Sequence, residues 1–290
     1  MFAHSARKLT EEEIKKIITD TELVSTFLQH KLEKDSKKNW DLFYRRNKDN
    51  FFKNRHWTTR EFRELIEIDE NEIDSDFNSE IEAKYSNENP ASRKKLRLLE
   101  VGCGCGNFLW PLIEGNLNFE FYGCDFSPVA LDLCRNRSLF DPNICHLFLA
   151  DITETNGIRK HLAEEINFDI VSLIFVLSSI HPDKMLEALK NICDNFSNQI
   201  LKKDGILIFR DYGLYDHSML RYSRGHKLAE NFYVRQDGTR TYYFSIEYLR
   251  DLVLECGLKI ITLDYVQREI INRKENLQVP RVFVQGKFQR

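Results

Sequence analysis

An α/β fold is predicted: a Rossmann-like, seven-stranded, mostly parallel sheet with helices on both faces, preceded by an N-terminal helical extension. Three observations predict it. From Leu96 onward short apolar runs alternate with helical patterns, which implies parallel strands covered on both sides. A glycine-rich turn, Gly102 to Gly106, directly follows the first run. Acidic residues, Asp125 and Asp151, close the second and third.

The expected strands are Leu96–Val101, Phe119–Cys124, His146–Ala150, Phe168–Phe175 and Gly205–Arg210, closed by two near Lys259–Arg268 and Arg281–Phe288. Ser127-Pro128 reads as N-cap and first residue of a helix, and Ser245 caps another that runs to about Cys256. Ahead of the sheet, Thr10 and Glu13 fit a capping box, with Leu9 stapled to Ile14, for a helix running towards Lys31 or beyond. The device recurs with Thr58, Glu61, Trp57 and Phe62. These signals divide the chain into a helical extension (1–68), an acidic loop or linker (69–95) and the α/β domain (96–290).

At 290 residues, 42% hydrophobic and 30% charged, the chain has enough apolar residues for one large core. No apolar run approaches membrane-spanning length. Residues 1–14 lack a secretory apolar region and turn acidic, so the expectation is a cytoplasmic protein, also nuclear, with no membrane partner. The seven cysteines are scattered without a CxxC pair, which reads as reduced thiols and no metal site. The net charge of −3 hides a division: Lys31 to Arg63 carries eleven Lys/Arg against five acids, and Glu67 to Asn89 nine acids against Lys84. The basic stretch is a candidate phosphate-facing surface, although a charge run more often marks a solvated face.

Glycines at Gly102, Gly104 and Gly106 let the backbone approach a ligand and adopt positive φ. Asp125 is placed to accept hydrogen bonds from two vicinal ribose hydroxyls, a geometry that suits nicotinamide dinucleotides and S-adenosylmethionine alike. Two features favour S-adenosylmethionine. Asn107 stands where a dinucleotide fold wants its third glycine, and Asp151-Ile152 offers a carboxylate to an adenine amino group and an apolar side chain to its ring. The expected domain is therefore a class I methyltransferase.

The acceptor is narrowed by what is missing. No Asn/Asp-Pro-Pro-aromatic tetrad follows the fourth strand, and no Pro-Cys or Thr-Cys dipeptide supplies a covalent nucleophile. What remains is attack by an atom that is already nucleophilic. Asn39–Tyr44, Asn50–Trp57, Leu173–Ser178, Phe209–His217 and Asn231–Arg240 together resemble the eukaryotic tRNA N3-methylcytidine methyltransferases. His181–Met185 and Tyr212–Tyr215 resemble the branch that acts on serine tRNAs. The resemblance implies methyl transfer from S-adenosylmethionine to N3 of cytidine 32 in the anticodon loop, with seryl-tRNA synthetase as a partner. It also implies that Trp40 and Tyr44 belong to an N-terminal lid touching the cofactor that Gly102, Asp125, Asp151 and Ile152 are read above as holding, and that Ile174 lines the adenosine pocket; on spacing alone Trp40 and Tyr44, four apart, more often mark one face of a packed helix.

Neutral cytosine has a lone pair at N3 and yields a cationic product. Asp211, at the end of the fifth strand, is the candidate to stabilise that charge and accept from the N4 amino group; a salt bridge to Arg210 or another Arg is its structural alternative. Phe51, Phe52, Arg55, Trp57 and Arg60 combine aromatic and basic character as a base-stacking, phosphate-holding surface would. Arg221, Arg224, Lys227, Arg235 and Arg240 form a second basic set. Methylation of protein or a small molecule, or a cofactor-binding scaffold without chemistry, are the alternatives these residues leave open.

Overall fold

The computed structural model describes residues 2–3, 5–66, 95–193, 200–272 and 277–290. Of the expected acidic loop only Lys95 falls within them.

The seven strands form one sheet: β2 (Leu96–Val101), β3 (Phe119–Asp125), β4 (Cys145–Leu149), β5 (Phe168–Ile174), β6 (Leu201–Tyr212), β10 (Lys259–Asn272) and β11 (Leu277–Gln289). A short edge strand, β1 (Phe2–Ala3), pairs antiparallel with β10 and makes the order β1-β10-β11-β6-β5-β2-β3-β4. β2 to β6 run parallel, and β10 and β11 form an antiparallel pair against β6. Alternate residues serve opposite faces, so Leu99, Val101, Val171 and Phe209 join one apolar cluster while Leu98, Ile170 and Ile208 join another. A sheet buried on both faces has near-continuous apolar strands, which is why the sequence revealed them.

The order reverses at β2, whose neighbours are β3 and β5. That switch point opens a crevice at the carboxyl ends of the strands, where open α/β sheets take their ligands. The helices α5 (Leu109–Glu114), α6 (Pro128–Arg135), α7 (Pro182–Cys193) and α9 (Ile246–Glu255) cover the sheet, with a single turn, α8 (His217–Leu220), before a second small sheet. Ser127 and Ser245 cap α6 and α9 as expected, accepting from the amides of Ala130 and Tyr248.

The extension differs from expectation in two places. Thr10 and Glu13 form their capping box, but the helix, α1 (Glu11–Thr19), stops there instead of running towards Lys31. The Asp20 amide closes it on the Lys16 and Ile17 carbonyls, and the Val24 amide then donates to the Lys227 carbonyl at 2.8 Å, which draws the chain out straight. Ser25 caps a new helix, α2 (Thr26–Lys34), and α3 (Ser36–Asn47) follows after one residue. Near Thr58 only one turn forms, α4 (Thr58–Glu61). Trp57 is already helical there, and the Thr58 hydroxyl donates to the Arg55 carbonyl instead of capping. The Trp57–Phe62 contact does form, with ring centroids 6.4 Å apart.

The second sheet, β7 (Lys227–Ala229), β8 (Phe232–Val234) and β9 (Arg240–Tyr242), has no counterpart among the expected strands. Three-residue strands are too short to show a period, and these are held by contacts with the N-terminal helices. Lys227 Nζ donates to the Asp20 carbonyl and Asn39 Nδ2 to the Gly238 carbonyl.

Candidate active site

The crevice holds a cavity of about 210 Å³ with two unlike walls. The strand ends supply Gly102, Asp125, Asp151, Ile152, Phe175 and Val176; the extension supplies Glu33, Ser36, Trp40 and Tyr44.

Gly102 and Gly104 have φ of 66° and 55°. A Cβ on Gly104 would lie 2.6 Å from the Tyr44 hydroxyl, and one on Gly102 would lie 2.6 Å from Val176. Glycine is thus required for close approach as well as for φ. Asp125 Oδ2 accepts from the Gly104 amide and Oδ1 from the Ser127 amide, both at 2.9 Å. Burial pushes the Asp125 carboxyl up to about 6 against the pull of those amides. Each oxygen keeps a second lone pair, so Asp125 can still receive a ribose diol. Asp151 has Oδ1 engaged by the amide and hydroxyl of Thr153 at 2.8 Å, which orients the carboxylate at the cavity wall beside the buried Ile152. A polyhydroxylated, adenine-bearing cofactor fits this donor and acceptor set.

Trp40 and Tyr44 both reach the cavity from one face of α3, their rings 5.9 Å apart. Burial, then the Asp125 charge, drives the Tyr44 phenol well above its usual value, so it stays a neutral hydroxyl. Asn107 pins the extension to the glycine loop. Its side chain donates to the Phe52 carbonyl at 3.1 Å and its carbonyl accepts from the Arg55 amide at 2.8 Å. Ile174 does not line the cavity; it lies 2% exposed in the cluster beneath the sheet, and its neighbours Phe175 and Val176 take that wall. Phe175 has φ of 61°, a conformation rare for a large side chain and typical of strained positions at functional sites. A sequence gives no sign of such a backbone angle.

Asp211 does not line the cavity; it is fully buried, with Oδ2 accepting from the Ser178 amide and Oδ1 from the Tyr212 amide at 2.9 Å. Its alternative partner Arg210 instead bonds Gln285 at 3.0 Å, sits 3.9 Å from Glu61 and covers the Trp57 ring at 4.1 Å. Burial brings the Arg210 guanidinium down to about 10. The rings of Phe175 and Tyr212, the residue after Asp211, lie 5.1 Å apart.

The expected RNA residues separate into two groups. Arg60, Arg221 and Arg224 are exposed, and Phe51 is 59% exposed while packing on Phe43 and Phe52. Others turn inward. The half-buried Arg55 lies 4.7 Å over Phe175, its charge disfavoured by burial and supported chiefly by Glu100. Arg235 lies 5.6 Å over Tyr212, and Arg240 is 5% exposed and bound to Glu33. Cationic side chains over aromatic faces lose hydration but gain the ring quadrupole, which favours such inward positions. Burial would raise the Glu33 carboxyl, but the Lys184 hydrogen bond and the Arg240 charge outweigh it and hold it low.

Comparison with known proteins agrees with this geometry. A family model described as a methyltransferase domain matches residues 73–263. The chain is 47% identical over 283 residues to tRNA N(3)-cytidine methyltransferase METTL6 of Homo sapiens, covering 98% of this chain and 90% of that protein. It is 33% identical over 292 residues to tRNA N(3)-cytidine methyltransferase METTL2 of Danio rerio, covering 97% and 81%. A SAM-dependent methyltransferase from Anabaena variabilis shares the fold, with a TM-score of 0.54 at 14% identity over 87% of this chain and 94% of that one. The chain is therefore an S-adenosylmethionine-dependent methyltransferase, and it belongs to the tRNA N(3)-cytidine methyltransferase family.

Proposed function

We propose that the chain methylates N3 of cytidine 32 in the anticodon loop of serine tRNAs, with seryl-tRNA synthetase as the partner that presents them. The observation that carries this reading is the aromatic pair formed by Phe175 in the cavity wall and Tyr212, the residue after the buried Asp211. Phe175 forms part of the cavity wall, Tyr212 packs on it, and the buried Asp211 carboxylate is held by the Ser178 and Tyr212 amides.

When bound, S-adenosylmethionine supplies a sulfonium methyl group, an electrophile that requires a free lone pair. The chain's own residues then have three tasks. Asp125 accepts from the ribose hydroxyls and Asp151 from the adenine amino group, while Trp40 and Tyr44 cover the site and exclude water. Phe175 and Tyr212 offer aromatic faces to an unpaired base. Asp211 favours the positive charge that develops on a ring methylated at N3; in a weakly polarisable interior its charge acts at a distance without touching the base. No general base is needed. Because N3 lies on the Watson–Crick edge, the base must be unpaired and turned outward, which suits a loop nucleotide.

The names of the relatives support the acceptor atom, and the His181–Met185 and Tyr212–Tyr215 motifs support serine tRNAs. The test is transfer of a radioactive methyl group to serine tRNA transcripts, with and without seryl-tRNA synthetase. Incorporation should vanish when cytidine 32 is replaced by uridine. Persistent incorporation would refute the position, and equal labelling of unrelated tRNAs would refute the serine assignment.

A further inference from the structure

Glu33, on α2, shares its carboxylate between cations from two other parts of the fold. Lys184 Nζ at the start of α7 donates to Oε1, and Arg240 Nη1 on β9 donates to Oε2. Arg240 is also braced by Ser36, whose hydroxyl accepts at 3.4 Å, and by the Phe232 ring, 5.5 Å from its guanidinium. Glu33, Ser36, Lys184 and Arg240 all stand in the wall of the cavity that contains Asp125 and Asp151. Only Asp35 separates α2 from α3, which carries Trp40 and Tyr44, so fixing Glu33 fixes the covering helix.

We infer that Glu33, held by Lys184 and Arg240, is the clasp that closes the N-terminal helices over the cofactor cavity and sets how fast S-adenosylmethionine and S-adenosylhomocysteine enter and leave. A lone exposed ion pair would contribute little, but here one carboxylate joins two cations, one of them 5% exposed. Without Glu33 the buried Arg240 loses its counter-charge. Opening, which lets that guanidinium reach water, then becomes the favoured response. Glu33 acts by positioning the lid and takes no part in methyl transfer.

The test is release of bound S-adenosylhomocysteine, followed by stopped-flow tryptophan fluorescence, since Trp40 lines the cavity. Glu33→Gln should release it on the order of tenfold faster. Lys184→Gln should release it faster by a smaller factor, because Arg240 still holds. The double variant should be no faster than Glu33→Gln alone, as expected of groups in one network. Added salt should accelerate release from the wild type and leave Glu33→Gln unchanged. Lys184, with its side chain 49% exposed, provides a variant that keeps the fold if Glu33→Gln does not. Release within about twofold of wild type in Lys184→Gln and in any folded Glu33 variant, or additive effects with equal salt dependence, would overturn the clasp.

Discussion

Burial pushes the Asp211 carboxyl up to about 6, although the Ser178 and Tyr212 amides pull it down. The raised value has opposite consequences for activity and stability. Asp211 carries its charge fully only above that value, so kcat at saturating cofactor should fall as pH drops through about 6. Its contribution to stability is present below the ordinary carboxyl value and is lost as pH rises through about 6, because the fold favours the neutral form. Asp211→Asn should lower kcat by roughly 10²-fold, remove that acidic limb and leave the Kd for tRNA nearly unchanged. Equal losses in kcat and tRNA affinity would assign Asp211 to structure alone. At Gly104, substitution by Ala places a methyl group against the Tyr44 hydroxyl. Calorimetry should show cofactor affinity weakened by about tenfold or more, since both the left-handed φ and the lid contact are disturbed.

Glu61 shows what an element signal can and cannot say. It sits where a capping box would use it, yet its carboxylate leaves the helix and bonds Arg268 at 2.6 Å, with Gln285 Nε2 donating at 3.3 Å and Arg210 3.9 Å away. The 55–65 segment is thereby docked on β6, β10 and β11. Glu61→Ala should destabilise the protein by about 2–4 kcal/mol, read from the urea midpoint, because it leaves the buried Arg210 without its counter-charge. A change below about 0.5 kcal/mol would show that Gln285 and the Trp57 ring suffice. The long strands and the Ser127 and Ser245 caps were legible because each depends on local pattern. The break at Asp20, the small sheet and the positive φ of Phe175 were not, because each exists only once Lys227, Val24 or the closed crevice is in place.

Across the molecule, the residues expected to hold the cofactor, Gly102, Asp125, Asp151 and Ile152, line one cavity, which Trp40 and Tyr44 also reach from far away in the chain. Basic character alone was a poorer guide. Sequence cannot distinguish the exposed Arg60, Arg221 and Arg224 from Arg55 and Arg240, which face inward. Reversing the charge of Arg221 and Arg224 together should therefore weaken tRNA binding and flatten the dependence of affinity on salt by about two units of slope. An unchanged slope would remove that surface from the RNA interface. The central claim, that the acceptor is cytosine N3 in tRNA, is tested most directly by mass spectrometry of nucleosides from tRNA incubated with enzyme and S-adenosylmethionine, with and without seryl-tRNA synthetase. The account predicts 3-methylcytidine as the new nucleoside; an isomer methylated at C5 or N4, or methylated protein with tRNA unchanged, would contradict it.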